Sequence, residues 1–322
     1  MERELALEFV RVTEAAAIQA ARWMGKGDKN AADGAAVEAM RAAFNTVNID
    51  GIVVIGEGEM DEAPMLYIGE RVGAGGGDLV DIAVDPLEGT NLVAKGLPNS
   101  IAVMAIAERG TLLHAPDMYM DKIAVGPMAK GKIDITKPPR ENVYNVAEAL
   151  GRIPEEITVV ILDRPRHEKI IQDVRTTGAR VKLISDGDVS PAISAAIEGT
   201  GVHMLLGIGG APEGVIAAAA LKCLGGDMQG RLYPESDAEI NRARSMGIAD
   251  INRIMTLDDM VRTEDVMFAA TAITDGDMLQ GVSFFPGGAR TRSIVMRSRT
   301  GTVRFVDAVH KLDRKPLFIR RC

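Results

Sequence analysis

From Ile157 onward the chain repeats one pattern. Ile157 to Leu162, Val181 to Ile184 and Val202 to Leu206 are β-rich runs, each followed by a helical segment of roughly ten or more residues. A β-α-β-α-β-α series predicts parallel strands, because a strand that returns in the same direction needs a crossover long enough for a helix. Each run ends in a polar or glycine-rich turn: Asp163-Arg164-Pro165-Arg166, Ser185-Asp186-Gly187-Asp188, and Gly209-Gly210-Ala211-Pro212-Glu213-Gly214. Ligands of open parallel sheets bind outside the carboxyl ends of the strands, so the three turns are expected to line one crevice.

The rest of the chain is mixed. Apolar residues recur at helical spacing from Leu5 to Trp23, and Asp28 or Asn30 is placed to cap a second helix running through Val37, Met40 and Phe44. Ile52 to Ile55 reads as a buried strand, as do Leu79 to Val84, Ile101 to Ala107 and Leu112 to Val125. Gly281 to Lys311 alternates arginine with Ile, Val and Phe and turns at Thr300-Gly301, an antiparallel return. A chain of 322 residues exceeds what one core usually serves. Lys137-Pro138-Pro139-Arg140 and Gly151-Arg152-Ile153-Pro154 punctuate the middle, which predicts an α/β domain over residues 1–150 and a second over 151–322.

A net charge of -8 argues against nucleic acid or an anionic membrane as partner, since either needs a basic face. Cys223 and Cys322 can form neither a disulfide framework nor a zinc cluster. With no signal-like start and no apolar run near the ~18 residues of a membrane span, a cytoplasmic protein is expected.

The chemistry concentrates at strand ends. Asp85-Pro86-Leu87-Glu88-Gly89-Thr90 delivers two carboxylates and a hydroxyl into one turn after an apolar strand. Carboxylates that close together call for a cation, and hard divalent ions such as Mg²⁺ or Mn²⁺ prefer oxygen ligands. Taken alone the segment reads equally as an acidic surface turn; Glu57 and Glu59 form a second strand-end acid cluster, with Asp33 upstream, and two such clusters can form a two-metal site. Arg164 and Arg166 offer planar forks for an anion, and Asp186 and Asp188 can accept hydrogen bonds from hydroxyl groups. As an isolated pair the arginines read as a solvated face and Asp186-Gly187-Asp188 as a turn, a preference that the strand-end position reverses; Tyr119 alone reads as a packing residue. His114 and His167 read as structural, and Asp61 with Glu59 as outer support. Gly73 to Gly77 precedes a strand and lacks a following Gly-Lys-Ser/Thr, so it is no P-loop. Gly207-Ile208-Gly209 has Pro212 where a dinucleotide fingerprint needs glycine.

The Asp-Pro-Leu-Glu-Gly-Thr segment at Asp85 to Thr90 resembles the signature of the lithium-sensitive, metal-dependent phosphatase superfamily, which holds the inositol monophosphatases and fructose bisphosphatases. Glu88, Glu213, Leu162 to His167 and Ser185 to Asp188 are similar to the class II (GlpX-type) fructose-1,6-bisphosphatases in particular. The resemblance implies a layered α-β-α-β-α sugar-phosphatase fold, two α/β domains with the site between them. It implies that Asp33 and Glu57 hold one metal, Mn²⁺ or Mg²⁺, and that Asp85, Glu88 and Glu213 hold another. Thr90, with Asp33, would position the attacking water. Substrate contacts would come from Glu88, Gly89, Thr90, Tyr119, Arg164, Pro165, Arg166, Asp186, Gly187, Asp188 and Gly210. The implied substrate is a small sugar bisphosphate, with hydrolysis of the 1-phosphate of fructose 1,6-bisphosphate, a step of gluconeogenesis, by a homo-oligomer, dimer or tetramer. Sedoheptulose 1,7-bisphosphate, as sole or additional substrate, is the near rival and inositol phosphate a more distant one. A catalytically silent sugar-phosphate sensor is the rival from another class.

Overall fold

The computed structural model describes residue 1 and residues 5–58 and 65–320. Two helices open the chain, α1 (Leu5–Ala21) and α2 (Lys29–Phe44). Asp28 caps α2 by accepting a hydrogen bond from the Ala31 amide at 3.0 Å, which satisfies one of the amides that a helix start leaves open. Then come β1 (Ile49–Ile55), β2 (Arg71–Val72), β3 (Asp78–Glu88), α3 (Thr90–Lys95) and β4 (Ile101–Glu108). The next stretch holds β5 (Tyr119–Val125), α4 (Pro139–Ala149), β6 (Thr158–Leu162), α5 (Glu168–Arg175), β7 (Arg180–Ile184), α6 (Val189–Ser194), β8 (Met204–Gly210) and α7 (Ala211–Leu224). It continues through β9 (Asp227–Tyr233), α8 (Asp237–Ser245), β10 (Met255–Thr256) and α9 (Leu257–Met260). The chain closes with β11 (Val266–Ala272), β12 (Ser283–Phe285), β13 (Gly288–Arg297), β14 (Thr302–Lys311) and α10 (Leu317–Arg320).

These elements form two compact units, Met1–Leu112 with Thr263–Cys322, and Leu113–Arg262. The expected boundary between residues 150 and 151 falls inside the second unit. The chain returns to the first unit at Thr263 because β11 pairs with β4 along its whole length, from Val266 opposite Ala107 to Ala272 opposite Ile101. Such a pairing joins residues far apart in sequence, and no local signal marks it.

In the first unit an eight-stranded sheet runs in the order β12-β13-β11-β4-β3-β1-β2, with β14 also on β13. Among the described residues only β1 and β3 pair in parallel; the other pairs, including the expected β13–β14 hairpin across Thr300-Gly301, are antiparallel. Phe9 and Ile18 of α1 and Met40 and Phe44 of α2 are buried in one cluster with Ile82, Met104, Ala269 and Val295 of the sheet, so each element hides its apolar face against another.

The second unit has a six-stranded sheet in the order β10-β9-β5-β8-β6-β7. The expected parallel series is its β8-β6-β7 part, while β5 lies antiparallel between β8 and β9. Two of the crossover helices are shorter than expected: α5 spans 8 residues and α6 spans 6. The expected strand from Leu112 is also shorter, beginning at Tyr119, since Pro116 cannot donate to a ladder. Ile123, Val159 and Ile161 pack with Val143 and Val146 of α4 and Val174 of α5.

Candidate active site

In the first unit the acidic motif is not a turn. β3 continues through Glu88, and a bulge accommodates Pro86: Asp85 pairs with Val103 and Glu88 with Ile101, so Pro86 and Leu87 together face Ala102. Bulges are where a sheet tolerates proline and re-aims a side chain. Asp85 Oδ1 accepts from the Leu87 amide at 3.0 Å. Glu88 is buried, and Ser100 Oγ donates to its carbonyl at 2.8 Å. The Ser100 amide in turn donates to Thr274 Oγ1 at 3.0 Å, which fixes the strand end from behind. Gly89 follows with φ +82, a left-handed conformation in which a Cβ would also sit 2.7 Å from Leu92 Cδ1. Thr90 is thereby the first residue of α3, a short helix the sequence analysis did not foresee. Glu57 follows β1, its amide bonded to the Leu66 carbonyl at 3.0 Å. Asp33 lies in α2, one turn in from the cap, and burial pushes its carboxyl above the usual range. Glu59 and Asp61 lie outside the described residues.

In the second unit the three expected turns are built into element junctions. Gly209 and Gly210 belong to β8, opposite Met120 and Tyr119 of β5, and the strand passes directly into α7, which carries Glu213 in its first turn. Arg164 precedes a short 3₁₀ turn over Pro165–His167. Its guanidinium donates to the carbonyls of Asp163 and Ser185, tying the ends of β6 and β7 together. Arg166 donates to the Ile208 carbonyl at 2.9 Å and lies over the Tyr119 ring, 4.3 Å from its centroid, a cation–π arrangement that holds the fork flat. Asp186 Oδ1 accepts from the Gly187 amide at 3.2 Å.

Lys122, on β5, was not foreseen. It is 1% exposed, lies 2.6 Å from buried Asp188 and donates to the Gly210 carbonyl at 2.9 Å. A buried lysine is costly unless paired, and here both a carboxylate and a carbonyl receive it. The glycines make room. A Cβ at Gly209 would fall 1.9 Å from Asp188 Oδ2, and one at Gly210 1.8 Å from Glu213 Oε2. A signal existed in the strand: Met120, Lys122 and Ala124 alternate onto one face, and its two other members are apolar.

Glu213 belongs to the same group. Its Oε2 is buried with no hydrogen-bond partner among the described residues. Burial raises its pKa, Lys122 opposes that rise, and Asp188 and Asp117 add to it. A carboxylate oxygen that is buried, unpartnered and beside other acids suits a hard cation. His114 is exposed. His167 is structural, as expected: Nδ1 bonds the Leu162 carbonyl at 2.7 Å and Nε2 accepts from the Ile208 amide at 2.8 Å. Among the described residues, no helix is long and apolar enough to cross a membrane.

Comparison with known proteins sets the class first: the chain is a phosphatase, a hydrolase of phosphoric monoesters. The family described as bacterial fructose-1,6-bisphosphatase, glpX-encoded, matches residues 3–310. Fructose-1,6-bisphosphatase 1 class 2 of Escherichia coli is 50% identical over 328 aligned positions, covering 98% of this chain and 97% of that protein. Fructose-1,6-bisphosphatase class 2 of Shigella flexneri matches to the same extent. The chain belongs to the glpX-encoded bacterial fructose-1,6-bisphosphatase family.

Proposed function

We propose that this chain hydrolyses the 1-phosphate of D-fructose 1,6-bisphosphate to fructose 6-phosphate and inorganic phosphate, a step of gluconeogenesis. The observation that carries the reading is family membership throughout residues 3–310, a span that contains every strand-end residue described above. By the family resemblance Asp85, Glu88 and Glu213 would be oxygen donors to one metal ion, and Asp33 and Glu57 to another. The ions are Mg²⁺ or Mn²⁺. Bound there, they would lower the pKa of a water and supply positive charge against the phosphate.

The protein's own groups do the rest. The Thr90 hydroxyl orients the attacking water and relays its proton towards Asp33. Arg164 and Arg166 hold the phosphate that does not react, together with Tyr119; Arg166 Nε has no hydrogen-bond partner among the described residues and is a donor in reserve. Asp186 and Asp188 accept from the sugar hydroxyls, Gly187 and Gly210 keep the backbone close, and Glu88 to Thr90 border the reacting end. Lys122 is a positioning residue that fixes Asp188 and the end of β8. Phosphate release from fructose 1,6-bisphosphate, sedoheptulose 1,7-bisphosphate, fructose 1-phosphate and inositol 1-phosphate, each with Mg²⁺ and with Mn²⁺, tests the assignment. Fructose 1,6-bisphosphate is expected to give the highest kcat/KM, and a monophosphate that exceeds it would overturn the reading.

A further inference from the structure

The residues assigned above in the second unit gather at the carboxyl ends of its parallel strands. At the opposite ends a cavity of 570 Å³ opens, a size suited to a small organic ligand, for which about 300–1,000 Å³ is usual. Arg180, the first residue of β7, His203, just before β8, and Arg152, beyond α4, line it. Met128, Leu150 and Ile197 give it an apolar wall. The wall is built rather than incidental. A Cβ at Gly126 would lie 2.5 Å from the Ala195 carbonyl, so two of its loops meet backbone to backbone. Thr200 Oγ1 ties the third side to the carbonyls of Ser194 at 2.7 Å and Ile197 at 3.1 Å.

The charges in this cavity have no internal answer. Among the described residues neither Arg152 nor Arg180 forms an ion pair with a carboxylate, and Glu198 in the lining pairs with neither. Among the described residues the Arg180 guanidinium donates to a neutral partner, the Glu156 carbonyl, at 2.7 Å. His203 Nδ1 accepts from the Thr158 amide at 3.0 Å, which makes the other ring nitrogen the N–H donor of the neutral imidazole. Burial, Arg152 and Arg180 hold that imidazole below its ordinary pKa, so the three groups share one field. Two guanidinium groups and an imidazole N–H lining one cavity, in a chain of net charge -8, match a dianion rather than a monoanion.

We propose that this cavity is a binding site for an organic phosphate monoester with an apolar body, separate from the active site. The phosphate sits among Arg152, Arg180 and His203, and the body rests on Met128, Leu150 and Ile197. With β6 spanning 5 residues, and about 3.3 Å of rise per residue, the site lies roughly 17 Å from the carboxyl ends of the strands. Phenylphosphonate is a suitable probe, having a phosphoryl dianion on an aromatic ring and no ester bond to cleave. Calorimetric titration of the full-length, metal-loaded enzyme is expected to show binding that weakens about tenfold or more in Arg152→Ala/Arg180→Ala, through lost charge-assisted hydrogen bonds. The same binding should persist in Arg164→Ala/Arg166→Ala, and kcat on fructose 1,6-bisphosphate should stay unchanged in the Arg152/Arg180 variant. Ile197→Trp, which fills the cavity and removes no charge, is expected to block the probe as well. Equal affinity in wild type and the Arg152/Arg180 variant, loss only in the Arg164/Arg166 variant, or no binding at millimolar probe would each overturn the proposal.

Discussion

The two units deliver carboxylates to a strand end in different ways. In the first, a bulge in β3 aims Asp85 and Glu88, and the bonds that fix them run through the backbone: the Leu87 amide to Asp85 and Ser100 to the Glu88 carbonyl. In the second, Asp188 and Glu213 sit beside a buried lysine at the junction of β8 and α7. One unit thus offers anionic ligands on a rigid frame, and the other carries part of its counter-charge within the chain. The lesson is that charge at the second unit's strand end is balanced partly by folding, whereas the proposed function of the first unit's acids depends on ions from outside. The strongest test of that contrast is chelation. Activity on fructose 1,6-bisphosphate is expected to vanish in excess chelator and to return with added Mg²⁺ or Mn²⁺, because the acids alone make no comparable catalyst. Full turnover in chelator would remove the metal from the account.

Thr90 sharpens the contrast on the first unit's side. It is placed by Gly89 at the start of α3, and Thr90→Val keeps its shape while deleting the hydroxyl. Loss of one positioned proton-transfer partner costs about 10² to 10⁴ in rate, so kcat should fall by that much with metal affinity and melting temperature near wild type. Thr90→Ser should keep most of the rate. A Val variant within a few-fold of wild type would make Thr90 a helix start and nothing more.

On the second unit's side the matching test is Lys122→Met. Removing one partner of a buried pair leaves an uncompensated charge and costs about 3–5 kcal/mol, so denaturant unfolding should register a loss of that order. Lys122→Met combined with Asp188→Asn should recover part of it. If the single variant is as stable as wild type, the pair does not balance the site.

How much of this was legible beforehand follows the range of the interactions. The parallel β8-β6-β7 series, the hairpin at Thr300-Gly301 and a helix start at Asp28 rest on local periodicity and turn chemistry, and the sequence carries those directly. Pro86 misled locally: it reads as the end of a strand, yet the bulge absorbs it and β3 runs on to Glu88. Lys122 was missed because a charge within a β-run reads as a solvent-facing residue, although its face, shared with Met120 and Ala124, is otherwise apolar; the approach of Asp188 and Gly210 accounts for its burial. The unit boundary was illegible for a related reason, since β11 joins β4 across the whole intervening unit.

A smaller effect is expected from the arginines. Arg166 is held by Tyr119 and the Ile208 carbonyl, and Arg164 by two carbonyls, so both are presented ready-made, and the proposed contact with a non-reacting phosphate would persist into the transition state. Arg164→Ala/Arg166→Ala should raise KM for fructose 1,6-bisphosphate by about tenfold or more with a lesser change in kcat, and should narrow its advantage over fructose 1-phosphate. An unchanged preference would return the pair to an ordinary surface role.

The smallest effect concerns His167, which belongs to the second unit's frame rather than its charge balance. The ring is fully buried, and the Ile208 amide points at its Nε2, so a proton there would break that bond. Gly207, with φ +128, allows the approach, since a Cβ would stand 3.1 Å from Nε2. Burial chiefly, and then Arg166 and Arg164, hold the imidazole below its ordinary value of 6.5, against the opposing pull of the Leu162 carbonyl and Asp121. Above that value neither the folded nor the unfolded chain carries the proton, and stability is at its full level. Below it the unfolded chain takes up a proton that the fold refuses, so stability declines by about 1.4 kcal/mol per pH unit until the folded pKa is reached. His167→Gln removes the titration, so unfolding free energies measured from pH 7.5 down to 5.5 should fall less steeply in the variant than in wild type, whatever the variant's absolute stability. Equal slopes would mean that the ring accepts a proton inside the fold, which the Ile208 bond forbids.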